Sequence, residues 1–184
     1  MKIISGFLKG RTISSYNIQG TRPTMDRVKE SLFGMIQNYI NDSICLDLFA
    51  GSGNLGFEAI SNGSQYCYSN DKNIKCIHAI KKNIKDFNIE EKIKVLNLDY
   101  HQCLNYLKEN NIKLDIVFLD PPYANECLND VIELLLDYSL LNKNAIIVCE
   151  IDNNYLHNNF NNLEIIKNRK YGDKFIIIYE KTSH

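Results

Sequence analysis

Apolar positions in this chain fall into two alternating patterns. Short apolar runs bounded by polar residues or glycine occupy residues 43–50, 65–70, 92–98, 114–119 and 145–150, and predict buried strands. Between them the apolar residues recur at helical spacing. Val28, Leu32, Met35, Ile36, Tyr39 and Ile40 mark one helix, with Thr24 as its N-cap, and Leu55, Ala59 and Ile60 mark a second that stops at Gly63. Ile74, Ile77, Ile84 and Phe87 form the apolar face of a third, over 73–87, whose other face carries Lys75, Lys81, Lys82 and Lys85 and reads as a solvated surface. Cys103, Leu104 and Leu107 mark a short helix, and 126–138 a longer one. Two further strands, 163–167 and 175–180, close the chain around Tyr171-Gly172-Asp173-Lys174. Ahead of all this, Ile3-Ile4 and Thr12-Ile13 flank Gly6 and Gly10 and predict a small hairpin or extended arm. Strands alternating with helices predict an α/β fold with a doubly wound, mostly parallel sheet.

Length and charge refine the picture. With 184 residues the chain fits one domain with a small extension. The net charge of -1 announces no nucleic-acid binder, but the charge is unevenly spread. Residues 1–40 hold Lys2, Lys9, Arg11, Arg22, Arg27 and Lys29 against Asp26 and Glu30, so a basic extension (1–40) precedes an acidic body (41–184). The bases near the start of the first helix oppose its dipole, which favours a contact with a phosphate backbone. The six cysteines form no C-x-x-C pair, so neither a metal site nor a disulfide framework is expected. No apolar stretch suits a signal peptide or a membrane span, and a cytoplasmic protein, or one in a reducing organelle, is expected.

Candidate chemistry gathers where the strands end. Asp71, Asp99 and Asp120 each terminate a predicted strand, and Gly51-Ser52-Gly53-Asn54-Leu55-Gly56 follows another. In such sheets ligands sit beyond the carboxyl ends of the strands. The glycine spacing, with Asp71 twenty residues past Gly51, satisfies a dinucleotide fingerprint, and a dehydrogenase is one reading. Asp47 argues against it, because a carboxylate four residues before Gly51 opposes a pyrophosphate and suits an ammonium group. Asp120-Pro121-Pro122-Tyr123 offers acceptors without amide donors from either proline, together with an aromatic ring. That combination fits a flat group bearing an exocyclic amine, such as a nucleobase; a plain turn ending the strand is the alternative. A ligand with an ammonium, a ribose and an adenine but no phosphate is S-adenosylmethionine. Asp47 would face its amino acid part, Asp71 its ribose and Asp99 its adenine amine, with an N-cap as the other role for Asp99.

The chain resembles the RsmD-type family of S-adenosylmethionine-dependent methyltransferases, which modify the guanine N2 amine in small-subunit (16S-type) ribosomal RNA. The resemblance runs through Ile3-Ile4-Ser5-Gly6 with Gly10-Arg11, Arg22-Pro23-Thr24 with Asp26-Arg27-Val28-Lys29-Glu30, Leu46-Asp47-Leu48-Phe49-Ala50-Gly51-Ser52-Gly53, Asp120 to Tyr123, and Tyr171-Gly172-Asp173. Asn54 stands where the family usually has Ala, and Asp71 where it often has Glu. The resemblance implies a Rossmann-like class I methyltransferase fold with a seven-stranded, mostly parallel sheet and an N-terminal hairpin and helix. It implies Asp120, Pro121, Pro122 and Tyr123 as the catalytic residues. Cofactor would be bound by Asp47, Phe49, Gly51, Ser52, Gly53, Asp71, Lys72, Asp99 and Tyr100, and RNA by Lys9, Arg11, Arg22, Thr24, Arg27 and Lys29. A monomer acting on ribosomal RNA or the small subunit, without metal or membrane, is expected. Methylation of adenine N6 in DNA or RNA uses the same tetrapeptide chemistry and stays open, as does an RNA-binding protein with a degenerate pocket.

Overall fold

The computed structural model describes residues 1–15, 23–121, 124–151 and 159–182. Its centre is a seven-stranded sheet: β1 (Ile44–Asp47), β2 (Tyr66–Asn70), β3 (Ile93–Leu96), β4 (Leu114–Leu119), β5 (Leu141–Ile151), β6 (Leu163–Tyr171) and β7 (Lys174–Lys181), in the order β3-β2-β1-β4-β5-β7-β6. The first five run parallel, and β7 enters antiparallel between β5 and β6. The helices are α1 (Pro23–Ile40), α2 (Asn54–Ser61), α3 (Ile74–Phe87), α4 (Tyr100–Glu109) and α5 (Ala124–Asp137). This is the α/β alternation that the apolar pattern predicts.

Each face of the sheet is sealed by its own apolar layer. Ile116, Phe118, Ile176 and Ile178 point to the face covered by α1, α2 and α3, where Leu32, Phe33, Ile36, Phe57, Ile80 and Ile84 pack on them. Val117, Leu119, Ile147 and Ile177 point to the face covered by α4 and α5, with Leu104, Leu107, Val131, Ile132 and Leu135. A strand buried on both faces needs apolar residues at successive positions, which is why β4 reads as a continuous apolar run. None of the six cysteines is in a disulfide, and four of them lie fully inside these layers. Among the described residues no helix is long and apolar enough to cross a membrane.

Several boundaries differ from the sequence expectation. The helix α1 starts at Pro23 rather than after a Thr24 cap, because a proline in the first helical position has its φ preset and lacks only an N–H that would be unbonded anyway. The strand β5 begins at Leu141, earlier than expected. Its Asn142-Lys143-Asn144 reads as a break but is absorbed by a register shift, in which Leu114 pairs with Leu141 and Ile116 with Ile146, with Asn144 at φ 60°. The arm has a single antiparallel bridge, Lys2 with Thr12, rather than two strands. It is nevertheless well fixed. Ile3, Leu8 and Ile13 enter the core, Phe7 N–H donates to Ser61 O at 2.9 Å, and Ser14 N–H donates to Asn83 Oδ1 at 2.9 Å. Gly6, at φ 75°, lies so close to α2 that a Cβ there would sit 1.8 Å from Ser61 O, so this turn admits only glycine.

Candidate active site

Register fixes where the acids stand. Asp47 at the end of β1 pairs with Ser69 of β2 on one side and Phe118 of β4 on the other. Asp71 and Asp120, each two residues further on, therefore rise just beyond that level at the carboxyl edge of the sheet. This edge is also where chain order reverses, since β2 and β4 flank β1.

The glycine turn is wired to these carboxylates. Gly51, at φ 54°, donates its N–H to Asp71 Oδ2 at 2.8 Å, and Asn73 N–H donates to Asp71 Oδ1 at 2.8 Å. Gly56 N–H donates to Asp47 Oδ2 at 3.1 Å. Gly53, at φ 81°, forms the N-cap of α2. Gly56 lets α2 lie on the sheet: a Cβ there would be 3.0 Å from both Cys67 Sγ and Ser69 Oγ and 3.5 Å from Asp47 Oδ2. Burial pushes the Asp47 carboxyl up to about 7, against the opposing effect of the Gly56 N–H, and the charges of Asp120 and Asp71 add to the rise. Ser52 is half-buried, and Lys72 is exposed beside Asp71.

Asn70 is a residue that sequence reasoning passes over. Buried at the end of β2, it donates from Nδ2 to Leu48 O at 3.1 Å and to Leu98 O at 3.0 Å, and accepts from Leu98 N–H at 3.2 Å. One amide thus ties together the loops after β1 and β3. An asparagine at a strand end reads as a turn former, and nothing local signals this role.

Asp99 takes its capping role. It accepts from Gln102 N–H at 2.9 Å while Gln102 Oε1 accepts from Asp99 N–H at 3.2 Å, a full capping box at the start of α4. Its side chain is exposed on the same edge. Next to it the Tyr100 ring lies 6.2 Å from that of Phe49 and stacks on His101 at 4.0 Å. The Tyr100 hydroxyl donates to Asp130 Oδ2 at 2.9 Å; desolvation first and Asp130 second push this phenol up to about 12.

On the β4 side, Asp120 is exposed and Pro121 buried; Pro122 and Tyr123 lie outside the described residues. Of the basic residues, Lys9, Arg11 and Arg27 are on the surface, Arg22 is outside the described residues, and Thr24 is described in backbone only. Lys9 and Arg11 stand away from the carboxyl edge, because the arm's turn is bonded to Ser61 at the far end of α2 and Arg11 Nη2 donates to Asp86 O at 3.4 Å at the far end of α3. Lys29 departs from expectation: it is only 4% exposed, so it does not offer its charge to RNA. Its ammonium donates to Lys2 O at 2.6 Å and Asn54 Oδ1 at 2.8 Å and pairs with buried Glu58 at 2.9 Å. Glu58 in turn accepts from Ile4 N–H at 2.6 Å. A cation taken out of water is held only where acceptors converge, and here they come from two remote segments, the arm and α2. Two surface concavities, about 390 and 470 Å³, lie beside Tyr66 and Tyr68 and beside Glu133 and Phe160, away from this edge. Among the described residues no cluster of side chains suits a metal ion.

The chain has close relatives. It is 36% identical over 182 residues to the "Putative rRNA methyltransferase YlbH" of Bacillus subtilis, covering 98% of this chain and 99% of that one. It is 38% identical over 155 residues to the "Ribosomal RNA small subunit methyltransferase D" of Haemophilus influenzae, covering 83% and 79%. Among solved structures, a putative methyltransferase from Escherichia coli, yhhF, superposes with a TM-score of 0.87 at 28% identity, over 100% of this chain and 99% of that one. The family model described as "Conserved hypothetical protein 95" matches residues 1–180. With its fold of the class I methyltransferases and these matches over nearly its full length, the chain belongs to the conserved hypothetical protein 95 family, the RsmD family of methyltransferases.

Proposed function

We propose that this chain transfers a methyl group from S-adenosylmethionine to the N2 amine of a guanine in small-subunit ribosomal RNA. One observation carries the cofactor part. The N–H groups of Gly51 and Gly56, which a dinucleotide's pyrophosphate would need, already serve the carboxylates of Asp71 and Asp47. The turn thus presents acceptors rather than donors, and an ammonium and ribose hydroxyls fit it where phosphates do not. The rRNA part rests on the activity printed in the names of the Bacillus and Haemophilus relatives.

In this reading Asp47 faces the amino acid end of the cofactor and Asp71 its ribose. Phe49 and Tyr100 line the adenine side with Ser52, Gly53, Lys72 and Asp99 around them. Bound there, S-adenosylmethionine supplies an electrophilic methyl group. The guanine amine is a poor nucleophile because its lone pair is delocalised into the ring. Asp120 and the Pro121 carbonyl accept its hydrogens and turn the lone pair toward the methyl group, and Asp120 takes the proton released afterwards. By the tetrapeptide's chemistry, Pro122 withholds a competing amide donor and Tyr123 supplies an aromatic ring for a base taken out of its own stack. The basic extension 1–40 grips the RNA through Lys9, Arg11, Arg22, Thr24 and Arg27, and residues 41–184 carry the chemistry.

The test is transfer of labelled methyl from S-adenosylmethionine to purified small ribosomal subunits and to naked small-subunit RNA, followed by digestion to nucleosides. N2-methylguanosine is the expected product. N6-methyladenosine would replace this reading with adenine methylation, and absence of transfer to either substrate would overturn it.

A further inference from the structure

The lysines of α3 have no part in the site described so far. Over Ile74–Phe87 the helix carries Lys75, Lys81, Lys82 and Lys85 against one acid, Asp86. Its apolar face is spent: Ile77, Ile80, Ile84 and Phe87 are buried in the core. Lys75, His78, Lys82 and Lys85, spaced three, four and three residues apart, stand on the opposite, exposed side and form one stripe about 15 Å long. The stripe begins beside Asp71, since Asn73 caps α3 immediately after it.

The arm extends this stripe. Lys82 Nζ donates to Ser14 Oγ at 3.3 Å, and the Arg11 guanidinium rests on the end of the helix, 5.7 Å from the Phe87 ring. Lys9 is exposed on the same arm, and Phe7, on the turn between Gly6 and Gly10, is 63% exposed with its backbone held to Ser61. The only acid on the helix, Asp86, is itself paired with Lys82 at 3.7 Å. Five lysines and arginines of α3 and the arm thus line one surface in addition to Lys81, on a chain whose net charge is -1.

We propose that the exposed face of α3, together with Lys9 and Arg11 of the arm, is a docking rail for the phosphate backbone of RNA, leading away from the reaction edge. The proposal rests on the methyltransferase reading above and says where the rest of a large RNA substrate lies. Lysine ammonium groups along one side of a rigid helix suit a polyanion, and the exposed ring of Phe7 suits stacking on an unpaired base. An anionic membrane is the other partner such a helix attracts. It needs an apolar face free to enter the bilayer, and here that face is buried in the core.

The test uses the full chain and the triple variant Lys75→Gln/Lys82→Gln/Lys85→Gln. All three positions are exposed, so folding is retained, checked by the thermal transition, and calorimetric binding of S-adenosylmethionine stays unchanged. Affinity for purified small subunits and for an RNA hairpin is measured between about 50 and 200 mM salt. The slope of log affinity against log salt is expected to fall by about 3, roughly one per lysine removed. Wild-type binding with an unchanged slope in the variant would overturn the rail and leave the methyltransferase reading standing. Failure of the wild type to bind or methylate either RNA would sink both. Binding of the wild type to anionic vesicles but not to RNA would assign the stripe to a membrane instead.

Discussion

The two halves of the reaction edge are built on different principles. On the β1–β2–β3 side every loop is fastened: Asp71 holds Gly51 and Asn73, Asp47 holds Gly56, and Asn70 bridges the loops after β1 and β3. On the β4 side the carboxylate of Asp120 stands exposed at the end of its strand, followed by buried Pro121. A small cofactor of fixed shape is best met by a site formed in advance, since less ordering entropy is then lost on binding. On the function proposed above, a base arriving from a folded RNA would meet this solvent-exposed carboxylate.

The largest test of this contrast is Asp120→Ala. Methyl transfer is expected to fall by at least about a hundredfold while calorimetric affinity for S-adenosylmethionine is retained; loss of cofactor affinity would show that the halves are not separable. Next is Lys29→Met, which removes the cation from the buried carboxylate of Glu58 in α2 and leaves it the Ile4 N–H. Denaturant unfolding should show a loss of about 3–5 kcal/mol, and a loss below 1 kcal/mol would mean that the fastened half does not depend on this pair. Gly56→Ala is smaller. A methyl group 3.0 Å from Cys67 Sγ and Ser69 Oγ should cost about 1–3 kcal/mol by forcing α2 off the sheet, with cofactor affinity falling alongside stability.

The smallest effect is in pH. Because the folded Asp47 carboxyl is raised to about 7 from its ordinary 3.8, the folded state binds more protons than the unfolded one between those values. Stability from this group is therefore present below the lower value and declines as pH rises toward 7. A cationic ligand favours the ionised form, so affinity for S-adenosylmethionine should rise between pH 6 and 8 and binding should release a proton, which calorimetry in buffers of different ionisation enthalpy detects. Asp47→Asn should abolish that proton release.

The fold was legible because strands buried on both faces must be apolar throughout, and helices buried on one face must be apolar every three to four residues. β4 appears at its full extent for this reason. The meeting of Asp47, Asp71 and the glycines at the carboxyl edge was also readable, since Asp47 and Asp71 lie at predicted strand ends and the glycines in the turn that follows β1. Lys29 was misread because a lysine in the first turns of a helix looks exposed whenever its acceptors come from remote segments, here Lys2, Asn54 and Glu58. The departure at Asn54 acquires its sense in the same contact. Asn70 was silent because its three bonds join loops that only the folded sheet brings together.

The place of β7 has a consequence for how the molecule is made. Lys174–Lys181 follows β6 in sequence, yet it lies between β5 and β6, and among the described residues β6 has no other neighbour in the sheet. During synthesis β6 emerges before the strand that will join it to the rest, and Ile176 and Ile178 complete the core under α1 only when that strand arrives. Assembly of the sheet on that side therefore waits until residues 174–181 have emerged, and a nascent chain stalled before Lys174 would hold a half-covered α1 and an unpaired strand edge, the kind of surface that chaperones recognise.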